Sequence, residues 1–261
     1  MLRKVRETWS PFARWSWRIA KISALITLCG VVFSRSEQIE MPAAFSLLCA
    51  GLFCAFLALC VGVFSIVVIW VRMIRGFRYA FLAIALSLIV LVIPSYILVQ
   101  GLSMPAIHDI TTDLEDPPLF TLLMLDQPDW ANGLEPPLPG SSEHDAQRQY
   151  YPDIAPLILQ IHPEDGFDLA ERVTQQLGWS VSARMEPLLP DSEGKIEAVA
   201  HTDILRFKDD VVIRIRPKNG GTRFDVRSVS RFGRSDFGRN AQRIREVLWL
   251  IEEVSTKVHD S

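Results

Sequence analysis

Residues 43–71 read AAFSLLCAGLFCAFLALCVGVFSIVVIWV, a run without one charged side chain. A helix needs roughly 20 apolar residues to cross the hydrocarbon core of a bilayer, so this run is long enough to span one. Tyr79–Val99 has the same character. Ile19–Ser34 is shorter and admits Lys21 near its start, but Trp15 and Trp17 precede it, and snorkelling by Arg18 and Lys21 extends it to the interface. The pattern predicts three transmembrane helices in residues 1–100. A cleaved signal peptide is the competing account of the first, yet after Gly30 the chain runs Val-Val-Phe-Ser-Arg instead of into a small-x-small cleavage site. The expectation is that the span is retained.

Charge placement orients these spans. Arg3, Lys4, Arg6, Arg14, Arg18 and Lys21 crowd the amino-terminal side, and Arg72, Arg75 and Arg78 fill the link between spans two and three. The link between spans one and two has Arg35, offset by Glu37 and Glu40. The positive-inside bias therefore places the amino terminus in the cytoplasm and, after three crossings, the carboxyl-terminal portion outside it. In a bacterium with two membranes this means a multi-pass inner-membrane protein with a periplasmic domain. Cysteine usage agrees: Cys29, Cys49, Cys54 and Cys60 all lie in the apolar spans, and the exported portion has none to mispair in an oxidising compartment.

The net charge of −3 hides two opposite halves. Residues 1–100 are basic; residues 101–261 hold 17 of the 27 Lys and Arg but 27 of the 30 Asp and Glu. That acidic balance argues against a nucleic-acid partner. No Asp, Glu or Arg sits at the middle of a span, so the spans read as an anchor in the lipid bilayer and not as a conduit. Gly51, Ala55, Ala58 and Gly62 form a small-residue stripe suited to close packing, either against a neighbouring span or in self-association with a second copy.

Three parts follow: the membrane anchor at 1–100, an acidic, proline-rich arm or linker at 101–155, and an extracytoplasmic domain at 156–261. The arm contains Asp-Pro-Pro, Glu-Pro-Pro and Leu-Pro-Gly, a composition that resists regular structure. Leu119, Phe120, Leu122, Leu123 and Leu125 give it an apolar patch with which to pack as an extended arm.

In the domain, Leu157–Ile161 reads as a strand. Asp165 is placed to cap a helix whose apolar positions are Phe167, Ala170, Val173 and Leu177, stopped by Gly178. Strands are predicted over Trp179–Met185, Lys195–Thr202, Val211–Arg216 and Arg223–Ser230, with Gly220-Gly221 turning the chain between the last two. Ala241, Ile244, Val247, Leu248, Ile251 and Val254 make the apolar stripe of a closing helix capped by Ser235 or Asp236. The order predicts an α+β fold: a two-layer domain with a mainly antiparallel sheet and both helices on one face.

Chemistry-bearing residues concentrate between Arg206 and Arg245. Asp209 and Asp210 precede a strand, while Arg227, Arg231, Arg234 and Asp236 connect the last strand to the last helix. Arginines at a helix amino terminus are awkward unless they meet carboxylates or bind an anion beside the free amides. These six form a candidate ligand site or a structural ion-pair site, the latter joining Asp209 or Asp210 to Arg227 or Arg234. His201, His108, Asp109 and Asp113 are weaker candidates, able to converge only if the arm folds back. Glu197 shares a strand face with His201 but lies roughly 13 Å away along an extended chain, too far for one metal. His144 and His162 read as loop residues and His259 as tail. No G-x-S-x-G elbow, nucleotide loop or metal-ligand spacing is present in the domain, and no cofactor is expected.

Three stretches carry a family resemblance: Ile196-Glu197-Ala198-Val199-Ala200-His201-Thr202, Phe207–Ile215, and Asp225–Asn240 with its core Arg231-Phe232-Gly233-Arg234-Ser235-Asp236-Phe237-Gly238. Together they resemble the DUF1499 family over roughly residues 105–250. Ile107–Asp113 and Tyr151-Pro152-Asp153-Ile154 are similar to its membrane-anchored proteobacterial branch. The resemblance implies no activity, catalytic residue or ligand. The chain departs from the family pattern in lacking a cysteine before the domain, and in having Arg206-Phe207-Lys208 where Gly-Phe often precedes the acidic pair. The sequence thus leads to an envelope protein that binds a partner protein or an anionic lipid or glycan without catalysis. Its alternatives are a membrane-associated hydrolase or lipid-modifying enzyme built on His201, and an accessory or assembly subunit of a membrane complex.

Overall fold

A computed structural model describes residues 8–36, 38–189 and 192–259. Arg3, Lys4, Arg6 and Glu37, used above for orientation, lie outside the described residues. The chain divides into two compact units, Met1–Gln100 and Gly101–Ser261.

The first unit is made of α1 (Pro11–Ser36), α2 (Met41–Arg72) and α3 (Phe77–Gly101). All three are long and apolar enough to cross a membrane, which makes this a multi-pass membrane protein. The first helix starts at Pro11, well before Ile19, so the span that looked short in sequence gains two further turns. Its cations are accommodated on aromatic rings, Arg18 Cζ 5.3 Å from the Trp15 ring centre and Lys21 Nζ 5.5 Å from that of Trp17.

Packing in this unit inverts a water-soluble core. The buried positions are small: Ala13, Ser16, Ala20 and Ser23 on α1, and Gly51, Ala55, Ala58 and Gly62 on α2. Large apolar side chains such as Phe53, Phe56, Leu88 and Ile89 face outward. In lipid, apolar side chains gain nothing by hiding, so small residues that let backbones approach decide the contact. The stripe on α2 is therefore used within the chain's own bundle. Backbone pairing of Ser10 N–H with the Arg75 carbonyl (2.9 Å) and of Arg75 N–H with Thr8 (3.2 Å) ties the start of α1 to the α2–α3 link, bringing two basic segments to one end.

In the second unit, six antiparallel strands form one sheet: β1 (Asp109–Thr111), β2 (Leu157–Leu159), β3 (Ser180–Met185), β4 (Gly194–His201), β5 (Lys208–Lys218) and β6 (Gly221–Ser230). β3 to β6 are a meander, and β6 is covered on its far side by β1 along one half and β2 along the other. The β5–β6 turn is Asn219-Gly220, with φ of 53° and 77°, so Gly221 already belongs to β6 and does not turn the chain. Positive φ at both central residues matches the twist of a two-residue hairpin.

Alternation sorts the sheet into two faces. Ile196, Ala200, Val211, Ile213, Ile215, Phe224 and Val226 point toward α5 (Pro163–Gln176) and α6 (Arg239–His259), which lie together on that face. Phe167 and Val173 of α5 and Ala241, Ile244, Val247 and Ile251 of α6 fill this core. The expected α+β architecture is observed. The cap of α5 is His162, a residue of the preceding loop with extended backbone as expected, and Asp165 falls in the first turn instead of capping the helix. The closing helix runs through His259, which is therefore not tail.

The opposite face is also covered. Residues 112–134 cross it, burying Phe120, Leu123 and Leu134 on Val199, Val212 and Val229. Two pieces of this arm region are helical: a short 3-10 turn at Leu123–Asp126 and α4 (Ser142–Tyr150), whose Ser141 cap accepts the His144 N–H at 3.4 Å. His144 accordingly sits buried on a helix and not in a loop.

Candidate functional site

The second face of the sheet carries the charge. From β4 it presents Glu197; from β5, Asp210, Arg214 and Arg216; from β6, Arg223, Asp225 and Arg227, with Arg231 one residue past its end. Period-two alternation puts them all on one side, and the arm descends onto them with acids and backbone carbonyls of its own.

Arg227 has no exposed surface. Its Nε and Nη2 donate to Asp109 Oδ1 and Oδ2 at 2.9 and 2.6 Å, and Nη1 donates to the Pro118 carbonyl at 3.3 Å. The Phe120 ring centre lies 5.3 Å from Cζ. Arg214, Arg216 and Arg223 surround Asp113, Asp116 and Asp225 in a balanced three-by-three cluster, with Arg223 Nη2 to Asp113 Oδ2 at 2.5 Å and Arg216 Nη1 to Asp116 Oδ2 at 2.8 Å. The Arg216 hydrogen bond, together with the field of Arg214, holds the Asp116 carboxyl below its usual range. Arg231 reaches Asp210 through Nε and Nη2, and Gln127 Nε2 donates to the same carboxylate at 2.7 Å. Burial nevertheless pushes the Asp210 carboxyl above its ordinary value against those donors.

Glu197 is the arm's principal anchor. Its Oε1 accepts from the Thr121 N–H at 2.6 Å and the Thr121 hydroxyl at 2.5 Å, and its Oε2 accepts from the Leu122 and Leu123 N–H groups at 3.0 Å. A carboxylate thus caps the 3-10 turn from across the sheet, with Lys195 Nζ 3.3 Å away. Burial pushes this carboxyl upward, but the donors from Leu123 and Thr121 outweigh it and leave it below the usual glutamate range.

On the helix face a separate polar group sits at the start of α6. Arg243 donates to Asp209 Oδ2 at 2.5 Å and to the Ser228 hydroxyl at 3.0 Å, while Asn240 Nδ2 donates to the His108 carbonyl at 2.8 Å. Asp236 caps the helix, accepting the Gly238 and Asn240 N–H groups at 2.9 and 2.8 Å. Burial pushes its carboxyl upward despite those amides.

The six residues singled out from the sequence therefore do not converge. Asp210, Arg227 and Arg231 lie on the arm face, Asp209 and Asp236 on the helix face, and Arg234 is exposed. Ion pairing also differs from the expected scheme: Asp209 meets Arg243, Asp210 meets Arg231, and Arg227 meets Asp109. Adjacent residues on a strand point to opposite faces, so Asp209 and Asp210 had to part. Of the weaker set, Asp109 and Asp113 are held by arginines, His108 contributes its backbone carbonyl, and His201 stands at the end of β4. Among the described residues no three His, Cys, Asp or Glu side chains stand close enough to hold a metal ion.

What the sequence reading missed is the complementarity of arm and sheet. Arg214, Arg216, Arg223, Asp225 and Arg227 share one parity on two adjacent strands, and the one segment of opposite charge bias is the arm. That match is a readable signal.

One recess remains. A cleft of about 430 Å³ opens where β4 ends, between the end of α5 and the first turns of α6. Trp179, His201, Arg206, Arg239, Gln242 and Glu246 line it. Arg206 takes φ of 53°, in the left-handed region where a non-glycine residue costs about 1–2 kcal/mol. The Thr202–Phe207 loop imposes this, with Thr202 N–H to the Phe207 carbonyl at 3.0 Å, Arg206 N–H to the Thr202 carbonyl at 3.0 Å, and Phe207 N–H to the Thr202 hydroxyl at 2.9 Å. Among the described residues Arg206 enters no ion pair, and Arg239 meets Asp203 at 3.3 Å in an exposed contact.

A family model described as "Protein of unknown function (DUF1499)" matches residues 109–250, more than half of the chain, beginning at β1 and ending within α6. Comparison with curated proteins finds no significant match.

Proposed function

The chain belongs to the DUF1499 family, and from that premise we propose that it is a non-catalytic binding protein of the bacterial envelope, in the membrane-anchored proteobacterial branch. Three spans hold it in the inner membrane with the amino terminus in the cytoplasm and the domain in the periplasm. There the domain takes up a partner protein or an anionic lipid or glycan. The orientation rests on Arg14, Arg18 and Lys21 together with Arg72, Arg75 and Arg78, which crowd one end of the bundle.

The observation that carries the binding role is the occupation of the carboxylates. A hydrolase built on His201 would draw its acid or base from Asp109, Asp209 or Asp210, and each of these is held by a different arginine. All three are buried with a guanidinium against them, so none is presented to a substrate as general acid or base. Arg206 and Arg239, by contrast, stand at an open cleft.

Two measurements test this reading. An alkaline phosphatase reporter joined after Ser261 is expected to be active and a cytoplasmic fluorescent reporter dark; the reverse result overturns the placement. Purification of the full chain in mild detergent is expected to retain a protein or anionic lipid that Arg206→Gly releases. Co-purification that the substitution leaves unchanged, or turnover of a bound species, removes the binding role.

A further inference from the structure

We infer that the cleft between the end of α5 and the start of α6 is a binding site for an acidic sugar residue, one ring bearing a carboxylate or phosphate. This rests on the reading of the domain as a binding module and names the class of its ligand.

The cleft walls are mixed in a way that separates a sugar from a bare anion. A site for phosphate alone gathers donors and cations. Here they are interleaved with acceptors: Arg239 stands against Asp203, and Glu246 faces the same space as Gln242. Each sugar hydroxyl both donates and accepts, so a ring of hydroxyls uses such a wall fully, whereas a lone anion is repelled by half of it. Trp179 supplies the flat apolar surface on which the C–H face of a pyranose rests. The volume of about 430 Å³ falls within the range of small-molecule sites.

Arg206 supplies the acidic preference. Among the charges lining the cleft, Arg239 is matched by Asp203, and Arg243 is turned to Asp209 beneath the surface. Among the described residues Arg206 enters no ion pair. Its guanidinium is thus available to a carboxylate or phosphate, in the two-point geometry that arginine favours. The backbone holds this side chain at the cleft in a conformation that glycine would adopt more readily, and strain of this kind gathers at functional sites.

The test uses the full chain in lauryldimethylamine oxide micelles, because a glycosidic detergent headgroup would compete. Glucuronic acid, glucose 6-phosphate, glucose and inorganic phosphate are titrated separately, with binding read by ligand-observed NMR and by tryptophan fluorescence. The inference expects saturable binding of glucuronic acid or glucose 6-phosphate, at least about tenfold tighter than glucose or phosphate alone. Arg206→Gly, which suits the backbone, and Arg239→Gln are each expected to weaken it about tenfold without lowering the melting temperature. Trp179→Phe is expected to abolish the fluorescence response and keep the NMR one. The inference is overturned by absence of saturable binding to either acidic sugar, by phosphate binding as tightly as glucose 6-phosphate, or by affinities that the two arginine substitutions leave unmoved. The same NMR spectra report any conversion of the titrant, which would sink the non-catalytic reading separately; loss of sugar binding with retained co-purification sinks this inference alone.

Discussion

Arg227 on β6 grips Asp109 on β1 with two hydrogen bonds, 2.9 and 2.6 Å, in a place where the arginine has no contact with solvent. The contact joins the beginning of the domain to its last strand across more than a hundred residues of sequence. An arginine sealed in this way serves the fold, and its removal is informative.

Arg227→Ala strands a carboxylate in the interior. Breaking a buried pair from one side costs about 3–5 kcal/mol, so chemical denaturation of the full chain in detergent should show the domain transition at a markedly lower midpoint. Replacing both partners, as Arg227→Met with Asp109→Leu, should recover much of the loss, because no charge is then left unpaired. A single variant with wild-type stability would contradict the structural role.

The response to acid should run through Glu197. Its carboxyl is depressed in the folded state, so its contribution is fully present above the ordinary glutamate value of 4.5 and is lost as pH falls through the lower folded value. Asp236 works the other way: burial raises its carboxyl, so its protonation on acidification removes a folded-state penalty. Melting curves between neutral pH and the acid range should therefore show Glu197→Gln less stable at neutral pH but flatter below 4.5 than the wild type. Parallel curves would rule out Glu197 as the acid-sensitive anchor of the arm.

Within the membrane unit, a side chain at Gly51 has nowhere to go. A β-carbon there would stand 2.7 Å from the Thr27 backbone nitrogen and 3.0 Å from its α-carbon, and backbone yields poorly. Gly51→Leu should loosen α1 from α2 at a cost of about 1–3 kcal/mol, read as a lower thermal midpoint in detergent. Phe53→Leu, on an outward position that is 69% exposed, should leave the midpoint in place.

Arg206→Gly should stabilise the Thr202–Phe207 loop by roughly 1 kcal/mol, because glycine enters the left-handed region without the β-carbon penalty. Differential scanning of the full chain should show an unchanged or raised domain midpoint. A lowered one would mean that the Arg206 side chain holds the loop together.

Much of this architecture was readable from local pattern. Apolar runs longer than a bilayer is thick announced the three spans, and Ile196/Ala198/Ala200 against Glu197/Val199/His201 announced a strand with two unlike faces. The stripe from Ala241 to Ile251 marked α6 by its helical period. The partners of the charges were less accessible. Arg227 stood beside Arg234 in sequence and was grouped with it, yet one is sealed beneath the arm and the other is in solvent.

By itself the sequence determined which segments leave water and which faces of each strand and helix are apolar, because periodicity and length act over a few residues. Only the tertiary structure decided that the acidic arm lies across the charged sheet face, that Asp209 and Asp210 serve different arginines, and that Trp179, Arg206 and Arg239 share a cleft. Those outcomes depend on contacts between residues far apart in the chain. Any arginine can satisfy any carboxylate in composition, but desolvation and strand parity leave each buried carboxylate a specific partner in space.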